Sequence, residues 1–299
     1  MKKLTILDGG MGRELQDIGA PFSQPLWSAQ ALIESPEYVR KAHQNFIDAG
    51  SEIIIVNSYA CVPFHLGEER YKTYGAKLAR QAAIIAESVA LNNNSVLVAG
   101  AIPPPFGSYR PDLFHADEAK KIITTLIKAQ EPHVDLWIAE TISSLQELDV
   151  IHSVLKNSAK DSYYSFSLND NDKNEAKLRS GQPVKMATEI VCLAGAKGIF
   201  FNCSVPEVME QAIKDAKEVI EQYDANIEIG VYANNFMPIK TDHEANDTLQ
   251  SMRELSPEDY LAYAKRWYEL GVSTIGGCCG IGPSHIKALA EWKKALKDG

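Results

Sequence analysis

The sequence predicts an α/β fold, a single (β/α)8 TIM barrel in which residues 1–299 form one domain. Short apolar segments alternate with longer amphipathic segments from end to end of the chain, and there are eight of each. The apolar segments are rich in valine, isoleucine and aromatic residues, which is typical of parallel strands buried on both faces. Eight strand–helix units within 299 residues match the usual size of such a barrel.

Each element is predicted from a local pattern. Strands are predicted where an apolar run precedes a turn: Leu4–Leu7, Ile53–Asn57, Val96–Ala101, Leu136–Glu140, Tyr163–Leu168, Gly198–Asn202, Ile227–Tyr232 and Val272–Gly276. Helices are predicted where hydrophobic residues recur with a helical period: 36–49, 70–92, 116–132, 143–158, 184–194, 206–222, 256–269 and 283–297. Two long loops are predicted, one that begins at Pro103 and one at 234–255.

Helix boundaries support this division of the chain. Four predicted helices have a proline in their first turn, and several end on a glycine directly before the next strand: Gly50, Gly195 and Gly271. A doubly wound sheet is the alternative arrangement of the same elements. No Gly-x-Gly-x-x-Gly follows the first strand, which argues against a nucleotide-binding version of that sheet.

The composition is that of an ordinary globular protein. Hydrophobic residues make up 45% of the chain, charged residues make up 23%, and the formal net charge is −9. A negative charge argues against nucleic acid or an anionic membrane as partner, and no apolar run reaches the ~18 residues of a membrane-spanning helix. The five cysteines are an odd number without the spacing of a disulfide framework, so a reducing cytoplasm is the expected compartment.

Unusual polar residues follow the predicted strands at their carboxyl ends. In a barrel these ends meet on one rim, where barrel enzymes carry their active sites. Two acidic residues and three cysteines are therefore predicted to converge there, together with amide and tyrosine side chains. The candidates are Asp8, Gly9, Asn57, Tyr59, Glu140, Asn202, Cys203, Cys278 and Cys279.

The segment Gly276-Gly277-Cys278-Cys279-Gly280 is the most specific signal in the chain. Adjacent cysteines rarely form a disulfide with each other, but they can present two thiolates to one cation where glycines let the backbone bend. Cys203 lies two strands away in a closed barrel and supplies a third thiolate. Three thiolates with one open position indicate a reactive Zn²⁺ site. Cys61 and Cys192 are expected to be structural.

An electron-rich zinc centre of this kind suits the binding of a further thiolate. A thiol whose pKa is ordinarily about 8.5 loses its proton when it coordinates a metal, so the predicted reaction is alkyl transfer to a substrate thiol. Asp8 and Glu140 suit the ammonium group of an amino-acid substrate. A sulfonium or quaternary ammonium donor favours aromatic faces, and the candidates are Trp27, Tyr59, Phe106 and Tyr109.

These motifs resemble those of the homocysteine S-methyltransferases, in order and over nearly the whole chain. The matching segments are Asp8-Gly9-Gly10-Met11-Gly12, Glu140-Thr141, Asn202-Cys203-Ser204 and Gly276-Gly277-Cys278-Cys279-Gly280. The family includes S-methylmethionine- and betaine-dependent enzymes and the homocysteine-binding module of cobalamin-dependent methionine synthase. The resemblance implies a barrel, Zn²⁺ bound by the three cysteines, homocysteine bound by Asp8 and Glu140, and methionine as product.

The resemblance leaves the methyl donor open. S-methylmethionine is favoured because that branch is nearest in length, whereas betaine, a dimethylsulfonio compound and S-adenosylmethionine are alternatives because Arg110 and Pro111 depart from the branch's loop pattern. Two other classes stay open: a barrel enzyme with redox or covalent cysteine chemistry, and a non-catalytic module that binds homocysteine or zinc. The expected partners are small molecules, with homocysteine or a selenocysteine-type analogue as acceptor, and homo-oligomer formation is left open.

Overall fold

Eight parallel strands form the centre of the molecule. The computed structural model describes residues 3–93, 95–171, 175–238 and 252–298 of the chain. The strands are β1 (Thr5–Ile6), β2 (Ile53–Ile55), β3 (Leu97–Ile102), β4 (Leu136–Ile142), β5 (Ser162–Phe166), β6 (Gly198–Asn202), β7 (Glu228–Tyr232) and β8 (Thr274–Ile275). Each strand from β2 to β7 pairs with the next one, and β8 pairs with β1. A parallel bridge between Leu7 and Ile53 closes the ring, so the predicted barrel is confirmed.

Helices cover the outside of the barrel. They are α1 (Met11–Asp17), α2 (Ser28–Glu34), α3 (Pro36–Ala49), α4 (Pro63–Leu66), α5 (Glu68–Arg70), α6 (Ala76–Leu91), α7 (Ala116–Gln130), α8 (Leu145–Leu155), α9 (Val184–Leu193), α10 (Pro206–Gln222), α11 (Pro257–Leu270) and α12 (Pro283–Asp298). All eight predicted helices form, but a π-helical turn at Tyr71–Gly75 interrupts the predicted segment 70–92. Helices α1 and α2 were not predicted, because seven residues are too few to display a helical period.

The chain departs from the prediction mainly at strand ends and loops. Strands β1 and β8 are two residues each, shorter than predicted. Leu7, which was predicted to belong to the first strand, pairs only through the closing bridge to Ile53. Of the predicted loop 234–255, residues 239–251 lie outside the described part of the chain. At its two ends, Phe236 and Met252 form an antiparallel bridge.

Glycines end three helices as the sequence predicted. Gly50, Gly195 and Gly271 have φ angles of 113°, 67° and 126°, a region that L-residues with a side chain rarely adopt. Ser256 accepts a hydrogen bond from the Asp259 amide at 3.1 Å and so caps α11. No helix in the described ranges is both long and apolar enough to cross a membrane.

Side chains of the strands fill the barrel interior and thereby leave room for a site only at its ends. The interior cluster includes Leu136, Ile138, Tyr163, Phe200 and Tyr232. The rings of Tyr163 and Phe200 lie 4.8 Å apart between centroids. Because this layer is closely packed, a small molecule can approach the strands only at the rim.

A buried histidine makes the stability of the fold dependent on pH. His43 on α3 is 0% exposed, and among the described residues neither ring nitrogen has a hydrogen-bond partner. Burial, reinforced by the positive charge of Arg40, lowers its pKa from 6.5 to about 4. The folded chain therefore binds this proton less readily than the unfolded chain does. The stability is complete above the unfolded pKa of 6.5 and is lost as pH falls toward 4.

We expect the free energy of unfolding to fall by about 2 kcal/mol between pH 7 and pH 5 through His43 alone. Replacing it by leucine (His43→Leu) should remove that part of the pH dependence, because an apolar side chain has no proton to bind. The measurement is urea unfolding at both pH values for the two proteins. An identical loss of stability in the variant would contradict the assignment.

Candidate active site

The carboxyl ends of the strands surround a cavity of about 230 Å³. Its wall is built from segments at the ends of β1, β2, β3, β4, β6, β7 and β8. The predicted site residues that line it are Asp8, Gly9, Asn57, Tyr59, Glu140, Cys203, Cys278 and Cys279. Asn202 does not line the cavity.

Three cysteines form a cluster in the wall of this cavity. The sulfurs of Cys203, Cys278 and Cys279 all lie within 4.8 Å of one another. In the structure Cys203 and Cys278 are joined as a disulfide, with their Cα atoms 5.7 Å apart, and Cys279 is a free thiol. When reduced, this set of three sulfur donors suits a thiophilic ion such as Zn²⁺.

Backbone hydrogen bonds fix the turn that contains Cys278 and Cys279. The Cys278 amide donates to Ala233 on one side at 2.8 Å, and the Gly277 amide donates to Asp8 on the other side at 2.9 Å. The carbonyl oxygen of Cys279 accepts from the Asn235 amide at 2.9 Å. The turn is thus attached to the ends of both neighbouring strands, and the positions of its two sulfurs follow from the barrel closure.

The glycines around this turn are needed for close packing more than for bending. A Cβ atom on Gly276 would lie 2.4 Å from Leu7 Cβ, and one on Gly277 would lie 2.1 Å from Ile281. Only Gly280 has a positive φ, of 80°. From the sequence, all these glycines were expected to let the backbone bend. The structure corrects this, because Gly276 packs against the segment that follows β1 and Gly277 packs against Ile281 of the same turn.

Gly10 provides a test of this packing. Its φ of −73° suits any residue, but a Cβ atom there would lie 2.5 Å from the carbonyl oxygen of Cys278. We therefore expect Gly10→Ala to destabilise the fold by about 1–3 kcal/mol and to weaken metal binding by displacing the turn. Urea unfolding and zinc competition with a chelator measure the two effects.

Gly12 is the matched control for this substitution. A Cβ atom on Gly12 would meet nothing nearer than a Phe22 carbon at 3.8 Å, and the residue lies within α1. Gly12→Ala should therefore leave metal binding unchanged, and alanine is the better helix former. Equal effects of the two substitutions would contradict the close-packing argument.

Two buried carboxyl groups line the same cavity as the sulfurs. Asp8 is 3% exposed and accepts a hydrogen bond from the Ile55 amide at 2.8 Å, and Glu140 is 8% exposed and accepts one from the Tyr232 hydroxyl at 3.3 Å. Burial raises the pKa of Glu140 to about 7. Burial, together with the nearby charge of Glu140, raises the pKa of Asp8 well above its usual range. Among the described residues neither group has a salt-bridge partner, so a bound cation would stabilise both.

Asn202 does not line the cavity, and its side chain forms hydrogen bonds to residues of strands β4 and β5. Its side-chain oxygen accepts hydrogen bonds from the Thr141 amide at 3.0 Å and the Ser165 hydroxyl at 2.8 Å, and its amide group donates to Thr141 Oγ1 at 3.0 Å. Thr141 has a φ of 61°, a strained conformation for a β-branched residue. Asn202 thereby holds the residue next to Glu140, and a contact between Asn202 and substrate stays a prediction.

Aromatic side chains form much of the remaining wall. Trp27, Tyr59 and Tyr109, three of the four aromatic candidates, line the cavity. Asn57 also lines it and donates to the Ser28 carbonyl at 3.2 Å. Phe106 does not line it, because its ring packs against Phe114 at 6.1 Å. Three further aromatic residues that the sequence analysis did not select also line the cavity: Phe22, Tyr232 and Phe236. Tyr232 could have been found from its position at the end of a predicted strand.

Comparison with known protein families agrees with this geometry. The model of the homocysteine S-methyltransferase family matches residues 5–292. The chain belongs to that family. The matched residues include the cysteine cluster and both carboxyl groups, so the family resemblance and the enzyme class inferred from the motifs are confirmed.

Individual relatives are similar over nearly their whole length. The chain is 27% identical to homocysteine S-methyltransferase 1 of Zea mays, covering 96% of this chain and 93% of that protein. It is 25% identical to a selenocysteine Se-methyltransferase of Brassica oleracea var. italica, covering 95% and 87%. The metallated form of the homocysteine methyltransferase MmuM from Escherichia coli has the same fold, with a TM-score of 0.79, 22% identity and coverage of 97% and 96%.

Proposed function

We propose that the chain is a zinc-dependent methyltransferase. It transfers a methyl group from a sulfonium donor, with S-methylmethionine favoured, to the thiol of homocysteine, and the product is methionine. The proposal places the chain in methionine biosynthesis. A reducing cytoplasm is the compartment in which its three clustered thiols would stay available to a metal.

One observation carries the proposal: a three-sulfur cluster shares one cavity with two buried carboxyl groups that have no salt-bridge partner among the described residues. The sulfurs lie within 4.8 Å of one another, and Asp8 and Glu140 are both less than a tenth exposed. Sulfur ligands select a thiophilic metal, and buried carboxylates without a partner select a cation. A ligand that has both a thiol and an ammonium group, as homocysteine does, satisfies both requirements.

Metal binding and substrate binding are assigned to different residues of the cavity. Cys203, Cys278 and Cys279 would hold Zn²⁺, which when bound would supply the positive charge that keeps a substrate thiol deprotonated near neutral pH. Asp8 and Glu140 would bind the ammonium group and so orient the substrate sulfur. That sulfur bonds to the methyl carbon as the donor carbon–sulfur bond breaks. The bonding electrons stay on the donor, which leaves as a neutral thioether, and the thiol proton goes to solvent.

The wall of the cavity supports a cationic donor. Trp27 and Tyr59 offer aromatic faces, and a sulfonium or quaternary ammonium group over such a face is attracted by the ring quadrupole. The ring of Tyr109 already has the guanidinium of Arg179 over one face, 4.8 Å from the centroid. The donor cation is therefore assigned to the Trp27 and Tyr59 side of the cavity.

A donor panel tests the proposal. The full chain is reduced, loaded with one zinc per chain and incubated with homocysteine and S-methylmethionine, betaine, dimethylsulfonioacetate or S-adenosylmethionine in turn. Methionine formation from S-methylmethionine at the highest kcat/KM is the expected result. A zinc-loaded protein that forms no methionine from any donor would refute the catalytic proposal and favour a binding module. A protein that binds no metal but whose thiols are consumed and regenerated would favour redox chemistry.

A second acceptor is supported by a specific similarity, that to the selenocysteine Se-methyltransferase of Brassica. A selenol is more acidic than a thiol and presents the same amino-acid ammonium group to Asp8 and Glu140. Adding selenocysteine as a competing acceptor measures the preference directly. A kcat/KM above that for homocysteine would reassign the acceptor while leaving the donor and the metal proposal unchanged.

A further inference from the structure

The loop between β5 and α9 contains a buried ion pair beside the cysteine cluster. Asp170 Oδ2 and Arg179 Nη2 are 3.1 Å apart, with side chains 0% and 7% exposed. Neither residue lines the cavity, and neither lies in a motif of the family resemblance. A buried ion pair is costly unless further hydrogen bonds satisfy both charges. The contacts of this pair therefore indicate what it stabilises.

The pair contacts the backbone of the Cys203 turn at two points, the Cys203 carbonyl and the Val205 amide. The Arg179 Nη2 atom donates to the carbonyl oxygen of Cys203 at 3.1 Å, and Asp170 Oδ1 accepts from the Val205 amide at 3.0 Å. The Arg179 Nε atom donates to Ser167 Oγ at 2.9 Å, and that hydroxyl donates in turn to the same Cys203 carbonyl at 3.2 Å. The carbonyl oxygen of Cys203 thus receives two hydrogen bonds from one network.

Cys203 needs such support because its backbone is strained. Its φ of 47° lies in the left-handed region, which non-glycine residues adopt at a cost of about 1–3 kcal/mol when the surroundings impose it. The direction of the Cys203 Sγ atom depends on this conformation. If the turn relaxed to a negative φ, the sulfur would no longer be directed at Cys278 and Cys279.

Arg179 also contacts an aromatic residue that packs with the cluster. Its guanidinium carbon lies 4.8 Å from the centroid of the Tyr109 ring, and Tyr109 packs with Cys203, Cys278 and Cys279 in one apolar group. Tyr109 itself has a left-handed φ of 66°. One arginine therefore touches two strained residues that border the sulfur cluster.

We propose that Arg179, held by Asp170, is a positioning residue that presets Cys203 for a thiophilic divalent cation. It acts through the Cys203 carbonyl and the Tyr109 ring and touches neither substrate nor metal. The inference deepens the proposed function and rests on it only for the identity of the metal. The geometry requires an arginine and not merely a positive charge. One planar guanidinium donates from Nε to Ser167 and from Nη2 to Asp170 and the Cys203 carbonyl, while its face lies over the Tyr109 ring.

Arg179→Lys is the decisive variant. Lysine keeps the charge next to Asp170, so the buried carboxylate retains a partner, but a single ammonium group cannot reproduce the two edges and the stacking face. The double variant Arg179→Gln with Asp170→Asn removes both charges together and serves as a second test should the lysine variant fail to fold. Circular dichroism and cooperative urea unfolding establish which variants are folded.

Arg266→Met is the matched control. Arg266 on α11 also lies over a tyrosine ring, with its guanidinium carbon 6.0 Å from the Tyr263 centroid, and it also pairs with a carboxylate, that of Glu210. It differs in being exposed and remote from the cysteines. Loss of an arginine–tyrosine contact in general should therefore have no effect on the cluster.

Two measurements that do not depend on methyl transfer test the positioning role of Arg179. The first is zinc affinity of the reduced protein by chelator competition, together with the thiolate charge-transfer bands of the Co²⁺-substituted protein. The second is the rate at which the oxidant diamide forms the Cys203–Cys278 disulfide in the reduced, metal-free protein. In this reaction the two thiols lose two electrons and two protons, and diamide takes them up and becomes the hydrazine. The disulfide is identified by peptide mass spectrometry.

We expect Arg179→Lys to lower zinc affinity about 10- to 100-fold, to alter the Co²⁺ bands and to slow disulfide closure at least about 10-fold, with no change in Arg266→Met. Folded Arg179 variants that match the unaltered protein in affinity and closure rate would overturn the proposal. A protein that binds zinc but transfers no methyl group would refute the proposed function alone, since both readouts of the Arg179 role remain measurable.

Discussion

Replacing Cys278 or Cys203 by serine is expected to abolish metal binding and methyl transfer together. Each substitution removes one of three sulfurs that lie within 4.8 Å of one another. A hydroxyl is a poor ligand for a thiophilic ion. Because changes outside the ligand set already lower metal affinity about 10- to 100-fold, we expect a loss of more than about 100-fold for a ligand. Zinc content after dialysis and kcat/KM for homocysteine are measured on the same samples.

The control for this experiment is Cys192→Ser. Cys192 is a half-buried free thiol on α9 that is not part of the cluster, so its loss tests for effects of removing any cysteine. It should retain both metal and activity. Full methyl transfer by a metal-free Cys278→Ser protein would contradict the zinc proposal. Unchanged zinc content in both the Cys278→Ser and the Cys203→Ser protein would show that these cysteines are not metal ligands.

Glu140→Gln is expected to raise the KM for homocysteine by about 30-fold or more while leaving zinc bound. The substitution keeps a hydrogen-bond acceptor for Tyr232 but removes a buried negative charge. Removing one partner of a buried ion pair costs about 2–5 kcal/mol, and about 2 kcal/mol corresponds to the 30-fold change. Steady-state kinetics with homocysteine varied at saturating donor, and zinc content of the same protein, provide the measurement.

Glu147→Gln is a close control, because Glu147 is a buried glutamate with a similarly raised pKa that lies outside the cavity. Burial raises the pKa of Glu147 to about 7 as well, but its carboxylate accepts from the Ser143 amide at 2.6 Å at the start of α8 and does not line the cavity. Its substitution should leave the KM for homocysteine unchanged. If Glu140→Gln lost zinc instead of homocysteine affinity, Glu140 would belong with the metal ligands.

Much of the fold could be predicted because it depends on local patterns. A strand buried on both faces is apolar throughout, and a helix that covers it repeats every three to four residues, so both are visible in short windows of sequence. Helices α1 and α2 fell below the length at which such a period can be recognised. Strands β1 and β8 were predicted too long, because an apolar run shows where a strand lies but not how many of its residues pair with a neighbour.

The candidate site was predicted in part for the same reason. The carboxyl ends of parallel strands meet on one rim whatever their sequence, so residues at strand ends could be assigned to a common site once a barrel was predicted. This reasoning placed Asp8, Glu140 and the three cysteines correctly around one cavity. Position at a strand end does not determine which side chains point into the cavity. Asn202 ends a strand, yet its side-chain oxygen accepts hydrogen bonds from Thr141 and Ser165 and does not line the cavity.

By itself, the sequence determined the barrel, the three clustered cysteines and the two acidic residues, since each depends on residue type and on position relative to a strand. Only the tertiary structure decided that glycines next to the cysteines serve close packing, that Thr141 and Cys203 are strained, and that Arg179 contacts the Cys203 carbonyl. These features depend on atoms from segments far apart in the chain, and their distances and hydrogen bonds exist only when the barrel has closed.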